Sequence, residues 1–68
     1  MKLSARNQFT GKIVEIKEGA VNASVKIEIA KDVVISSTIS MEAVKELGLT
    51  VGSDATAVIK ATSVMVMA

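Results

Sequence analysis

In the stretch VNASVKIEI, which spans residues 21–29, apolar and polar side chains alternate at every position. The odd-numbered residues are apolar and the even-numbered residues are polar. This period of two is typical of a strand with one face in the core and the other in water. Turn sequences flank the stretch, Glu18-Gly19 before it and Lys31-Asp32 after it. We therefore predict a β-strand here and a largely β fold.

Upstream of this strand, the apolar residues change register. They stand at odd positions at Phe9 and Ile13, and at even positions at Val14 and Ile16, within a strand-like segment from Gln8 to Lys17. A shift of one residue turns side chains to the opposite face, so the segment should contain a bulge or coil. Such a feature lets one strand serve both sides of a small barrel.

Downstream, residues 33–40 are rich in β-branched side chains and predict a third strand. The period then changes, because Met41, Val44 and Leu47 fall at the spacing of one short helix. Ser40 suits the N-cap of that helix and Gly48 suits its C′ position. Two further strands are predicted over residues 55–60 and 63–68. We therefore predict an all-β, five-stranded OB-like barrel with one short helix between strands 3 and 4.

The composition limits the class of protein. The 68 residues predict a single domain over 1–68, and half of them are hydrophobic. The mean hydropathy of +0.50 indicates more apolar surface than so small a monomer can hide, so part of it should lie between subunits. The sequence has no cysteine, no apolar run of the roughly 18 residues that a membrane helix needs, and no signal-peptide core. We expect a cytoplasmic protein without a membrane partner.

Two functional classes fit this composition poorly. Phe9 is the only aromatic residue and the net charge is +1, so the sequence offers neither stacking platforms nor a basic stripe for nucleic acid. Without histidine, cysteine or a convergent pair of acidic residues, it also lacks the usual general bases and nucleophiles. We expect no nucleic-acid partner, no enzymatic activity, no protein-ligated metal ion and no organic cofactor.

Hydrogen-bond donors are concentrated before the first strand, in Ser4-Ala5-Arg6-Asn7-Gln8. The pentapeptide contains a serine hydroxyl, an asparagine amide, several backbone N–H groups and a guanidinium that stays charged. A pocket of donors alone suits an oxyanion that only accepts hydrogen bonds, because the O–H of a protonated phosphate would find no acceptor there. The sequence thus favours an anion site at this end of the chain.

Together with four other segments, this pentapeptide resembles the molbindins. These are small molybdate-binding proteins whose domain also occurs in molybdate-responsive regulators and importer ATPases. The resemblance implies non-covalent binding of molybdate or tungstate for storage in the cytoplasm, by a hexamer built as a trimer of dimers with sites shared between subunits. The four segments, which extend the resemblance over essentially the whole chain, are Ile39-Ser40, Glu46-Leu47-Gly48-Leu49, Ala57-Val58-Ile59-Lys60 and Val64-Met65-Val66-Met67-Ala68.

The resemblance also implies which residues contact the oxyanion. Arg6 and Lys60 would supply positive charge, and Ser40 would donate its hydroxyl while capping the helix, whose first N–H groups are further donors. Some relatives carry a hydroxyl residue at position 43, where Ala43 can offer only its backbone. Asn7 either contacts the ligand or orients Arg6. The residues expected in the site are Ser4, Ala5, Arg6, Asn7, Ser40, Ala43, Lys60 and Ala61.

Family members carry a second class of oxyanion site around their three-fold axes. The turn Gly19-Ala20-Val21-Asn22 is a candidate for it, because turn N–H groups can form an anion nest. The competing interpretation is a hairpin turn without a ligand, which Gly19 also suits. The methionines are interpreted as core or interface filler, since an oxyanion offers nothing to a thioether. For the whole chain, the alternative function is a structural or regulatory interaction module with a vestigial anion site.

Overall fold

The computed structural model describes residues 4–68. Within this part of the chain, the strands form one antiparallel sheet in the order β3-β2-β1-β4. The fold is therefore all-β with one short helix, as the sequence predicts. Its elements are β1 (Asn7–Glu18), β2 (Asn22–Ala30), β3 (Val33–Ser40), α1 (Met41–Leu47), β4 (Asp54–Ile59) and a 3-10 turn at Ala61–Ser63.

Strand β1 is shared between two neighbours. It pairs with β4 from Asn7 to Lys12 and with β2 from Lys12 to Glu18. The register slips around Val14, which has no partner on β2 and is 43% exposed. The predicted bulge is confirmed at this residue. Because β1 serves both neighbours, the sheet curls, and its edge strands β3 and β4 line the same groove.

The core lies between the inner face of the curled sheet and α1. The odd-numbered residues of β2 point into it as predicted, whereas Val21 precedes the strand and is 73% exposed. Burying one such aliphatic side chain contributes roughly 1.5–3 kcal/mol, so a core of small residues stabilises the chain only modestly. The buried residues are Ile13, Ala23, Val25, Ile27, Val44 and Ala57.

Gly11 lies where β1 passes close to the backbone of β2. A Cβ on this residue would lie 2.9 Å from the Cα of Ile29 and closer still to the carbonyl oxygen of Glu28. Both obstacles are backbone atoms, which cannot swing aside as the end of a flexible side chain can. The close approach of two strands therefore requires glycine at this position.

Helix α1 begins and ends where the sequence predicts. Ser40 is the N-cap, and its Oγ accepts a hydrogen bond from the N–H of Ala43 at 3.0 Å. Gly48 ends the helix in the left-handed conformation, with a φ of 63°. Glycine adopts this conformation without steric cost. Of the residues at helical spacing, Val44 is buried in the core, and Leu47 is 68% exposed.

The fifth strand, predicted over residues 63–68, is not part of the sheet. Residues 61–63 form the 3-10 turn, and residues 64–68 pair with no strand of the described chain. A strand needs a neighbouring edge for its backbone hydrogen bonds, and within one chain neither β3 nor β4 supplies one to this segment. Met65, Val66 and Met67 are consequently more than nine-tenths exposed, at 95%, 91% and 97%.

Candidate anion-binding site

The N-terminal donors lie at one end of the β1–β4 ladder. Asn7, the first residue of β1, pairs with Ile59, the last residue of β4. The strands are antiparallel, so the residue before Asn7 and the residue after Ile59 leave the ladder at the same end. Arg6 and Lys60 are thereby brought to the same end of the sheet, although they lie at opposite ends of the sequence.

The positive charges of Arg6 and Lys60 are exposed and not engaged by carboxylates of the described residues. Within residues 4–68, the ion pairs join Lys12 to Asp54, with Nζ and Oδ1 2.6 Å apart, and Lys26 to Glu15, with Nζ and Oε2 3.3 Å apart. Both pairs lie along the ladders, away from the end of the sheet that carries Arg6 and Lys60. Two cations at one end of a nearly neutral molecule form a local attraction for anions.

The backbone after Lys60 also leaves a donor near this end. The 3-10 turn uses the N–H groups of Ser63 and Val64, which donate to the carbonyls of Lys60 and Ala61. The N–H of Ala61 stands at the first position of the turn, where no bond of the turn engages it. Residues 4–7 together with Lys60 and Ala61 are called the N-terminal cluster below.

Ser40 lies at the other end of β1. It pairs with Asn22 on β2, beside the pair that joins Ala23 to Glu18, the last residue of β1. Asn7 is the first residue of that strand. The register therefore does not bring Ser40 next to Arg6 within one chain, although the sequence analysis expects both at the same oxyanion.

The start of α1 offers fewer free donors than the sequence predicts. The N–H of Ala43 donates to Ser40 Oγ, and the N–H of Met41 donates to the carbonyl of Val21 at 2.8 Å. The N–H of Ala43 is therefore not free, because capping the helix already uses that group. A contact between Ala43 and the oxyanion stays a prediction. Ser40 itself keeps a hydroxyl proton to donate, since a hydroxyl can accept and donate at once.

The turn at residues 19–22 adjoins Ser40. Within it, the N–H of Gly19 donates to the carbonyl of Asn22 at 2.9 Å. This bond is that of a hairpin turn, and it engages the donor that Gly19 would bring to an anion nest. Ala20 and Val21 are exposed at the tip of the turn. Ser40 and residues 19–22 are called the cap cluster below.

Gln8 received no role from the sequence, although it stands within the N-terminal motif. In the structure its Nε2 donates a hydrogen bond to the carbonyl oxygen of Ala5, with the two atoms 2.9 Å apart. The side-chain amide of a glutamine can reach the carbonyl oxygen of the residue three positions earlier. This spacing is the one signal in the sequence that could have indicated the contact. The bond ties the segment before β1 to the strand itself.

The described residues do not assemble the ligands of a metal ion. Nowhere in residues 4–68 do three or more His, Cys, Asp or Glu side chains converge on one position. The same residues contain no helix long and apolar enough to cross a membrane. The N-terminal cluster contains a guanidinium, an ammonium, a hydroxyl and backbone N–H groups, all of which can donate hydrogen bonds.

Comparison with known proteins gives matches over nearly the whole chain. Residues 3–66 match the family model of the TOBE domain. Over 66 residues the chain is 62% identical to the probable molybdenum-pterin-binding protein of Haemophilus influenzae, covering 97% of this chain and 96% of that protein.

Solved structures agree with these matches. The molybdate-binding protein of Sporomusa ovata superimposes with a TM-score of 0.93 at 32% identity, over 100% of both chains. The cytoplasmic molybdate-binding protein ModG, solved with molybdate bound, superimposes with a TM-score of 0.86 at 49% identity, over 90% of this chain and 43% of ModG.

The curled antiparallel sheet, with donors gathered at one end of it, defines a small binding domain of the TOBE type. Within that class, the chain belongs to the molbindin family. The resemblance inferred from five short segments of the sequence is thereby confirmed. The relatives named above are binding proteins, and none of their names describes an enzyme.

Proposed function

We propose that this protein binds molybdate, and tungstate in the same site, without forming a covalent bond. The observation that supports the proposal is the Asn7–Ile59 pair, because it brings Arg6 and Lys60 to the same end of the ladder. The proposed site also uses the hydroxyl of Ser4 and the N–H of Ala61, which belong to the segments that leave the ladder at that end. Molybdate is a tetrahedral dianion with no proton at neutral pH, so each of these donors could serve one of its oxygens. The molybdate-binding relatives support this choice of ligand.

Selectivity would follow from the predominance of donors in this set. Phosphate at neutral pH carries at least one O–H, and the guanidinium, the ammonium and the backbone N–H groups offer it no acceptor. Sulfate carries the same charge and the same demand for donors as molybdate but is smaller, so its rejection depends on the size of the cavity.

Calorimetric titration of the purified protein with molybdate, tungstate and sulfate tests the proposal. The ionic strength is held constant, because salt screens charges that are exposed. Molybdate and tungstate should bind at least about tenfold more tightly than sulfate. Equal affinity for sulfate would remove the claim of selection by size. If none of the three oxyanions binds, molybdate binding is rejected and the interaction module becomes the better description.

We further propose that each site is shared between subunits. The N-terminal cluster of one chain approaches an anion from one side, which would leave a bound dianion largely in water. Ser40 lies at the opposite end of β1 in the same chain and has a hydroxyl proton to donate. A neighbouring subunit could place its Ser40 against Arg6 and Lys60 and so complete the pocket. The turn at residues 19–22 remains our candidate for a second oxyanion position, around a three-fold axis.

The terminal segment 64–68 is the part of the chain best suited to join subunits. Between the edge strands β3 and β4 lies a largely apolar groove of about 600 Å³, whose walls include Ile35, Ile39 and Ile59. We propose that segment 64–68 of one subunit lies in the groove of another, as the fifth strand of an OB-like barrel. Backbone hydrogen bonds to an edge strand and the burial of apolar side chains would both favour this arrangement.

An assembly of this kind would close on itself as a hexamer, a trimer of dimers. Closed symmetry hides apolar surface without leaving an edge strand exposed to further pairing. Within such an assembly the protein would store the oxyanion in the cytoplasm, with no catalytic step and no organic cofactor. Because the complete site would exist only in the assembled state, molybdate should stabilise the oligomer by mass action.

A further inference from the structure

Gln8 connects the proposed oxyanion site to the first strand of the sheet. Its backbone belongs to the β1–β4 ladder, where it pairs with Val58. Its side chain turns back toward the preceding segment, and Nε2 donates to the carbonyl oxygen of Ala5 at 2.9 Å. Ser4 to Arg6 precede the strand and take no part in the ladder. The amide of Gln8 therefore ties this segment to regular structure.

The bond fixes more than the position of one oxygen atom. The peptide unit between Ala5 and Arg6 is planar, and in the trans form its C=O and N–H point in opposite directions. Holding the carbonyl of Ala5 against Gln8 therefore directs the N–H of Arg6 away from Gln8. One side-chain contact thus orients a backbone donor within the N-terminal cluster.

The same bond removes an unsuitable group from the site. A carbonyl oxygen carries partial negative charge and would repel a dianion that only accepts hydrogen bonds. The amide of Gln8 engages that oxygen and holds it on the side of the peptide opposite to the Arg6 N–H. The carbonyl oxygen of Ala5 is then not turned toward the donors of the cluster.

We infer that Gln8 is a positioning residue for oxyanion binding: through the Ala5 carbonyl it aims the Arg6 N–H at the anion, without touching the anion itself. This inference rests on the proposed function, since it presumes that the N-terminal cluster holds the ligand. The competing explanation is an exposed hydrogen bond that affects stability alone.

The unmodified protein and two variants distinguish these explanations. Each is titrated with sodium molybdate by calorimetry. Gln8→Met keeps the length of the side chain and removes its donor. Thr10→Val is the matched control, because Thr10 lies two residues further along β1 and its hydroxyl bonds to that of Thr56 at 3.0 Å. Each variant thus loses one exposed side-chain hydrogen bond from the same strand. Gln8→Met should bind molybdate about fivefold more weakly than the unmodified protein, and Thr10→Val should bind it with unchanged affinity.

The amide resonance of Arg6 in a nitrogen–proton correlation spectrum supplies a second measurement. A change in stability alone would not alter how far this resonance shifts when molybdate binds. It should shift on addition of molybdate in the unmodified protein and shift less at saturation in Gln8→Met. If the unmodified protein binds no molybdate, the proposed function fails and this inference fails with it. If it binds, but Gln8→Met binds within about twofold of it or Thr10→Val weakens equally, the positioning role alone is overturned.

Discussion

Asn7 on β1 pairs with Ile59 on β4, and this pairing brings Arg6 and Lys60, the residues just outside the two strands, to the same end of the ladder. Neither cation forms an ion pair within residues 4–68, whereas Lys12 and Lys26 both do. Like charges at one end of a sheet repel each other. A dianion bound between them would attract both cations and outweigh their mutual repulsion. The relationship joins the register of two strands to the electrostatics of the proposed site.

Replacing Arg6 with alanine should weaken molybdate binding by on the order of 2 kcal/mol, or about thirtyfold, because a charge-assisted contact is lost. Arg6→Lys should also weaken it, since lysine keeps the charge but loses the planar fork of donors. Calorimetry on the purified variants measures both effects. Lys17→Ala is the control, because Lys17 is exposed and pairs with Ser24 near the far end of β1. A loss for Lys17→Ala as large as that for Arg6→Ala would indicate general electrostatics rather than a site.

Two substitutions of Ser40 should separate its two roles. Ser40→Ala removes the cap on the Ala43 N–H and should lower the free energy of unfolding by about 1 kcal/mol. Ser40→Asp caps a helix as well as serine does but places a negative charge where we propose that the oxyanion binds. It should therefore keep the melting temperature at fixed protein concentration and lose at least about tenfold in molybdate affinity. Unchanged affinity in Ser40→Asp would place Ser40 outside the site.

Most of the fold could be predicted because its signals are local. The alternation over residues 21–29 reports which side chains of β2 face the core. The change of register near Val14 reports the bulge, and the caps Ser40 and Gly48 mark the helix. Each of these follows from residues that are near one another in the sequence. The terminal segment also carries a local strand pattern, but pairing depends on an edge that the same chain does not supply.

The candidate site was less accessible to sequence reasoning because it depends on long-range register. Nothing local indicates that Asn7 pairs with Ile59, so the placement of Arg6 and Lys60 at the same end of the sheet could be expected only from the resemblance. The hydrogen bond of the Ala43 N–H to Ser40 illustrates the opposite case. The sequence indicates that Ser40 caps the helix. Only the structure shows that the cap engages the N–H of Ala43, which is then not free for an anion.

Gly11→Ala should lower the free energy of unfolding by about 3 kcal/mol or more, because its Cβ would meet the backbone of Glu28 and Ile29. Gly48→Ala is the matched control. A Cβ there meets nothing within 4 Å, so the substitution costs only the left-handed backbone conformation, about 1–2 kcal/mol. Chemical denaturation at one protein concentration compares the two. Equal losses would show that β1 and β2 separate at Gly11 at no greater cost than that of a left-handed alanine.

Val66→Asp should lower the size of the oligomer and the affinity for molybdate together. Val66 is 91% exposed in the single chain, and we propose that its segment lies against a neighbouring subunit. A carboxylate there would have to be buried without a partner or would keep the segment in water, and either outcome disfavours assembly. Because the proposed site takes Ser40 from a neighbour, dissociation should also remove a donor from the anion.

Val51→Asp, on a valine that is 63% exposed outside the segment, controls for the added charge. Sedimentation and equilibrium dialysis on the same sample measure both properties. A monomeric Val66→Asp protein with full affinity would show that each chain carries a complete site of its own.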